Sequence, residues 1–73
     1  MTKANKFETK GRVIDAVKNG FYVELVEYPE MDPVLARLGG RIRKNNIRIV
    51  AGDEVTVELD AADLSKGRIT YRW

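Results

Sequence analysis

The chain has 73 residues, 44% hydrophobic and 33% charged, a length that supports one small domain and excludes a second. It contains neither cysteine nor histidine, which excludes a disulfide framework and cysteine-ligated zinc and argues against acid–base catalysis. The 13 basic and 11 acidic residues give a net charge of only +2, so any nucleic-acid partner must be inferred from where the charges lie. We therefore expect a domain held by an apolar core, with no enzymatic activity, metal or cofactor.

The start of the chain is basic and polar. It is not followed by an apolar segment, so it does not predict a secretory signal, and no apolar run in the chain is long enough to span a bilayer. We predict a flexible arm over residues 1–6 and a single domain over residues 7–73. The absence of cysteine favours a reducing, cytoplasmic setting.

Alternation of apolar and polar residues predicts two strands in the first third of the chain. The first covers Phe7–Val17, where the adjacent apolar residues Val13-Ile14 predict a bulge or a strong bend. The second covers Phe21–Leu25 and places Tyr22 on its outer face. The Asn19-Gly20 pair between them predicts a type I′ turn, which requires positive φ at both central positions.

The middle of the chain predicts a loop, a strand and a short helix. Two prolines and three acids between Glu27 and Pro33 exclude a central strand. Val34–Leu38 predicts the third strand, which Gly39-Gly40 ends. Residues 41–46 predict one or two helical turns, too few for an isolated helix.

Two further strands are predicted in the last third. Glu54–Leu59 alternates cleanly, and Gly67–Arg72 alternates again with Ile69 and Tyr71 facing inward. Residues 60–66 between them are a polar connection, in which a helical turn is one option.

The aromatic residues divide into core and surface candidates. Alternation assigns Phe7, Phe21 and Tyr71 to the core. Tyr22 faces outward, either to stack on an RNA base or as a rim residue with a solvated hydroxyl. Trp73 either packs on the domain or is frayed. So few outward rings favour recognition of charge and shape over base stacking.

These elements predict an all-β fold. Five short strands, with one helical turn between strands 3 and 4, in a chain too short for a sandwich, indicate a five-stranded OB-fold barrel. An SH3-like barrel is the alternative, but it usually lacks an element as long as residues 39–46.

Basic residues are concentrated where acidic ones are absent. No acid lies between Val34 and Gly52, a stretch that contains Arg37, Arg41, Arg43, Lys44 and Arg48. A second basic group lies near the last strand and comprises Lys66, Arg68 and Arg72. Convergent positive charge is what phosphate binding needs, and guanidinium groups also stack on unpaired bases. We predict that these residues, with Tyr22, bind RNA; the alternative is a merely solvated surface.

The remaining polar residues do not predict chemistry. Glu54 and Glu58 flank Thr56 on the outer face of one strand, where cross-strand pairing with basic neighbours explains them. Ser65 has no histidine partner anywhere in the chain, so no catalytic residue is predicted.

Several motifs in order resemble one known family. Arg41-Ile42-Arg43-Lys44-Asn45 and Ile47-Arg48-Ile49 are followed by Gly52–Leu59 and by Asp63-Leu64-Ser65-Lys66-Gly67-Arg68-Ile69. Together with the opening strands, they resemble bacterial translation initiation factor one, an OB-fold family of the S1-like type.

The resemblance implies a monomeric factor that binds the small ribosomal subunit at the aminoacyl-tRNA site. It would contact the decoding region of the rRNA and a neighbouring ribosomal protein, and would assist the other two initiation factors. By position, the rRNA contacts would be Arg41, Arg43, Lys44 and Arg48, with Lys66, Arg68 and Arg72 as a second group. The alternatives are a general single-stranded RNA-binding or chaperone protein of the OB or cold-shock type, and an SH3-like protein-interaction barrel.

Overall fold

The computed structural model describes residues 6–73 as one closed barrel. Its elements in chain order are β1 (Lys6–Val17), β2 (Gly20–Leu25), β3 (Val34–Leu38), α1 (Gly40–Lys44), β4 (Glu54–Asp60) and β5 (Asp63–Arg72). The strands follow one another around the barrel as β1-β2-β3-β5-β4, and β4 pairs with β1 to close it. The prediction of an all-β, five-stranded OB-fold barrel with a short helix between strands 3 and 4 is confirmed.

β1 is the longest strand because it serves two partners. Its first half pairs with β4 and its second half with β2, and both pairings include Gly11 and Arg12. The β1–β2 register shifts between Val13 and Asp15, which confirms the predicted bulge. A Cβ at Gly11 would collide with the side chain of Val23 on β2, so the close packing of these two strands favours glycine there.

The β1–β2 hairpin lies where predicted, but its turn differs from the type I′ prediction. Val17 pairs with Gly20, so the two turn residues are Lys18 and Asn19, and neither has a positive φ. The unusual conformation lies one residue later, at Gly20, with a φ of 156°. A Cβ there would lie 2.5 Å from the carbonyl oxygen of Ala36, so close packing of β3 also demands glycine.

Inward side chains from all five strands, from α1 and from the segment after it fill the barrel. The buried apolar residues are Val13, Val23, Leu25, Val34, Ala36, Ile42, Ile49, Val55, Val57, Leu59 and Ile69. Phe21 packs against this core as predicted. Phe7, the register partner of Leu59, is 36% exposed and does not belong to this core, contrary to the prediction.

The connection between β4 and β5 corrects the sequence prediction. Asp60 pairs with Asp63, so a two-residue turn replaces the long polar connection and its optional helical turn. Asp60 Oδ1 accepts a hydrogen bond from the Ala62 N–H at 2.9 Å, which stabilises the turn. The Ser65 hydroxyl and N–H both donate to Asp63 Oδ1, and these bonds lower the pKa of Asp63.

Tyr71 faces outward, contrary to the prediction that it belongs to the core. The β4–β5 register pairs Val57 with Ile69 but Thr56 with Tyr71, so Thr70 is an extra residue in β5. This bulge reverses the alternation after Ile69. Tyr71 therefore joins the outer face with Thr56 and is 53% exposed.

The ends of the described region are both attached to the barrel. Lys6, assigned by the sequence to a flexible arm, is the first residue of β1 and pairs with Asp60, whereas the rest of that arm lies outside the described residues. Trp73 packs on the outer face instead of fraying. Across residues 6–73, no helix has the length and hydrophobicity needed to cross a bilayer.

Candidate nucleic-acid interface

Helix α1 carries exposed cations and is attached to the barrel core by one buried side chain. It begins at Gly40. The preceding residue, Gly39, donates its N–H to the Ile69 carbonyl at 2.7 Å and accepts at its carbonyl from the Arg43 N–H at 3.1 Å. Ile42 is 1% exposed and fixes the helix to the core, while Arg41 and Arg43 are exposed on either side of it. The helix ends before Asn46, which has a left-handed φ of 54°.

The acid-free stretch is exposed and electrostatically unbalanced. Among the described residues, no ion pair involves Arg37, Arg41, Arg43, Lys44 or Arg48, and all five are exposed. The ion pairs lie elsewhere on the barrel: Lys10 and Arg12 pair with Glu54, Arg68 with Glu58, and Arg72 with Asp53. The predicted cross-strand pairing of Glu54 and Glu58 is thus present. Positive charge around α1 has no internal counterion in this region.

One side of α1 forms a groove with the tip of the β1–β2 hairpin. Arg37 and Arg43 line it together with Lys18 and Asn19 of the turn, and we call it the hairpin groove. Lys18 was missed in the sequence analysis, because its closeness to Arg43 depends on how the barrel closes. Three cations and no acid line this groove, an arrangement suited to a phosphate backbone.

A second groove lies on the other side of α1 and has a different character. Arg41 and Arg68 line it with two carboxylates and two aromatic rings, which belong to Glu8, Glu58, Tyr71 and Trp73. We call it the aromatic groove. The sequence prediction missed Tyr71 as a surface residue, because the bulge in β5 cannot be read from alternation, and left Trp73 open between packing on the domain and fraying.

The two predicted basic groups meet at Arg37 and Arg68. Parallel pairing of β3 with β5 makes these two arginines register partners on neighbouring strands, and Arg37 lines the hairpin groove while Arg68 lines the aromatic groove. On the other side of β5, Arg68 Nη2 lies 3.0 Å from Oε1 of Glu58 on β4. Arg37 has no such partner among the described residues.

The other predicted site residues are more scattered. Lys44 and Arg48 are exposed but line neither groove. Lys66 lines a shallow depression near the β4–β5 turn, together with Arg68, and Arg72 lies 4.0 Å from Asp53. Tyr22 is 39% exposed on β2, opposite Leu35. The structure therefore brings Arg37, Arg41, Arg43 and Arg68 together around α1, and leaves Lys66, Arg72 and Tyr22 apart.

Comparison with known proteins decides the family. A family model described as translation initiation factor 1A / IF-1 matches residues 1–73. The chain belongs to this family. An IF-1 of Solibacter usitatus (strain Ellin6076) is 44% identical over 72 residues, which cover 99% of this chain and 97% of that protein. The resemblance to bacterial translation initiation factor one is thereby confirmed, and association with the ribosome follows from the IF-1 family.

Solved structures agree with the IF-1 assignment. The solution structure of translation initiation factor IF-1 from the Wolbachia endosymbiont (strain TRS) of Brugia malayi matches with a TM-score of 0.73 and 32% identity, covering 93% of this chain and 78% of that one. YjeQ from Thermotoga maritima matches with a TM-score of 0.73 and 26% identity, covering 92% of this chain but 23% of that one. The barrel of this IF-1 family member therefore also resembles one part of a longer chain.

Proposed function

We propose that this IF-1 family member binds the small ribosomal subunit at the aminoacyl-tRNA site, through contacts between rRNA and the basic residues around α1. The observation that carries the proposal is the acid-free stretch Val34–Gly52. Its five cations are exposed and form no ion pair with any described residue. A surface merely kept solvated would not require this complete separation of charge.

The grooves give the contacts a geometry. Lys18, Arg37 and Arg43 line the hairpin groove, in which successive phosphates would each meet a cation and release counterions. Arg guanidinium groups add paired hydrogen bonds to phosphate oxygens and stack on unpaired decoding bases. Lys44 and Arg48 extend this surface, while Lys66, Arg68, Arg72 and Tyr22 serve as flanking contacts.

The two basic groups adjoin on one pair of strands. Arg37 and Arg68 are register partners on β3 and β5, and Arg37 forms no ion pair with any described residue. A phosphate bound near this pair would gain charge-assisted hydrogen bonds from guanidinium groups.

The protein acts by occupying its site, without catalysis. The chain has no histidine or cysteine, and the hydroxyl of its single serine, Ser65, donates to Asp63 at 2.6 Å. As a bound monomer, it would block the aminoacyl-tRNA site, contact a neighbouring ribosomal protein and assist the other two initiation factors.

Co-sedimentation with purified small ribosomal subunits tests the proposal. We expect binding that weakens steeply between low and high salt and is lost when a competitor occupies the aminoacyl-tRNA site. Replacing both Arg43→Ala and Arg48→Ala should cost about 3–6 kcal/mol, taking about 1.5–3 kcal/mol for each charge-assisted contact. Arg12→Ala is the control for each single replacement, because it removes one equal charge from β1, where Arg12 already pairs with Glu54 at 3.6 Å.

Three results would contradict the proposal. If the double replacement leaves binding unchanged, Arg43 and Arg48 do not contact the rRNA. Equal affinity for isolated oligonucleotides and for the subunit would favour a general single-stranded RNA chaperone. Salt-insensitive binding of a peptide, without binding of the subunit, would favour a protein-interaction barrel.

A further inference from the structure

Asn46, in the middle of the basic stretch, has a backbone conformation that most residues avoid. Its φ of 54° lies in the left-handed region, and no other non-glycine residue that the structure describes has a positive φ. Asparagine tolerates this conformation better than most residues that carry a Cβ, because its short polar side chain can hydrogen-bond locally. The side chain is exposed, so burial does not explain it. The role of Asn46 therefore lies in its backbone.

The left-handed residue closes helix α1. Asn46 directly follows the C-cap residue, Asn45. The Asn46 N–H donates to the Arg43 carbonyl at 3.2 Å, and the Ile47 N–H donates to the Ile42 carbonyl at 3.1 Å. These two bonds form a Schellman motif, in which a left-handed residue after the helix end provides donors for the last helical carbonyls. The motif turns the chain away from the helix axis.

The motif determines where the cations on its two sides lie. Before it, Arg43 contributes a carbonyl to the motif itself. After it, Ile47 packs against the core and Ile49 is buried in it. Arg48 comes between these two isoleucines along the chain and is exposed. Arg43 and Arg48 are thus joined by a short segment whose backbone path is set at Asn46.

Helix α1 has few other features that hold it in place. It has five residues, too few to be stable alone, and its N-cap, Gly39, makes no side-chain hydrogen bond. Ile42 is the one buried residue of the helix. The motif at its end therefore contributes much of its order. Without the motif, the cations would occupy several arrangements, and binding would have to order them at a cost in affinity.

We propose that Asn46 is a positioning residue for RNA binding: its left-handed backbone fixes Arg48 relative to Arg43, so that both meet phosphates of the bound RNA. The inference rests on the proposed function, because it concerns the same basic surface. It assigns a role to an uncharged residue that acts without contacting the RNA. Since Asn46 acts through the cations, replacing it should lower the affinity only while Arg48 is present.

Replacements of Asn46 separate a backbone role from a direct contact. Asn46→Gly keeps access to the left-handed region and should bind purified small ribosomal subunits within about twofold of the wild type. Asn46→Val, whose branched Cβ disfavours that region, should bind about tenfold more weakly and reduce the slope of log affinity against log salt by about one. Asn46→Ala takes its place if the valine variant does not fold. A loss in Asn46→Gly as large as in Asn46→Val would mean that the amide contacts RNA, and would overturn the proposal.

A double-mutant cycle tests whether Asn46 acts through Arg48. In the Arg48→Ala background, Asn46→Val should have little further effect on affinity, because the contact that it misplaces is already gone. Thermal unfolding, measured in parallel, shows which variants are folded at the binding temperature. A purely structural role would lower the thermal midpoint but leave the affinity and salt slope of the folded protein at wild-type values, which would refute the proposal. Equal losses of affinity in both backgrounds would also refute it. Absence of wild-type binding would instead refute the proposed function.

Discussion

Arg68 Nη2 donates a hydrogen bond to Glu58 Oε1 at 3.0 Å, so one cation of the predicted RNA surface is already occupied by a carboxylate. Arg68 must give up or share this ion pair in order to contact a phosphate. Because both side chains are partly exposed, the pair is worth about 0.2–1 kcal/mol.

Glu58→Gln is therefore expected to raise the affinity for protein-free small-subunit rRNA by about two- to fivefold, since it removes both the competing partner and a negative charge. Salt-dependent binding isotherms measure the effect. Glu54→Gln is the control, because Glu54 pairs with Lys10 and Arg12, which lie outside the predicted site. Equal changes in both variants would mean that only net charge matters.

Lys18→Ala tests the residue that the folded barrel adds to the site. Because Lys18 shares the hairpin groove with Arg37 and Arg43, its loss should weaken rRNA binding and reduce the slope of log affinity against log salt by about one. Asn19→Ala, in the same turn, leaves the slope unchanged if charge is the cause. A slope equal to that of the wild type in Lys18→Ala would exclude Lys18 from phosphate contact.

Thr9→Val should stabilise the protein. Thr9 is 7% exposed in β1, and its hydroxyl has no hydrogen-bond partner among the described residues, so the folded state bears the cost of desolvating it. We expect a gain of about 1 kcal/mol, which corresponds to a rise of about 4–8 °C in the thermal midpoint of a domain this small. Thr56→Val should not stabilise, since the Thr56 hydroxyl accepts from Trp73. A lower midpoint for Thr9→Val would show that its hydroxyl is satisfied in solution.

Two glycines should respond oppositely to alanine. A Cβ at Gly67 would lie 2.7 Å from Val57 Cγ1 and 2.8 Å from Leu59 Cδ2, so Gly67→Ala should destabilise the barrel by about 1–3 kcal/mol. Gly40 begins α1, and a Cβ there would meet no atom within 4 Å beyond its chain neighbours and the helix backbone, so Gly40→Ala should stabilise by about 0.5–1 kcal/mol. Urea unfolding measures both, and losses of similar size would contradict the packing described for Gly67.

Local pattern was sufficient for the strands and for the segregation of charge. Alternation located β2 and β4 because one face of each is buried, and the adjacent Val13-Ile14 pair indicated the bulge in β1. The run of cations around α1 is a property of the sequence itself, and needed the structure only to show that it is exposed.

The features that alternation did not predict depend on pairing between strands that are distant in the chain. Tyr71 faces outward because Thr70 is an extra residue relative to β4, which is a property of two strands together. Lys18 and Arg43 likewise line the same groove only when the barrel is closed. The ion pair between Arg68 and Glu58 follows from the register of β4 and β5 and not from spacing along the chain.

The parallel pairing of β3 with β5 has a consequence for how folding and binding are coupled. It joins residues 35–38 to residues 66–69, and the chain between them contains α1 and its cations. Because the pairing joins segments that are far apart in the chain, the aligned arginines exist only in molecules whose barrel has closed. RNA therefore selects the closed state from the folding equilibrium, and the thermal midpoint should rise with RNA concentration as mass action requires.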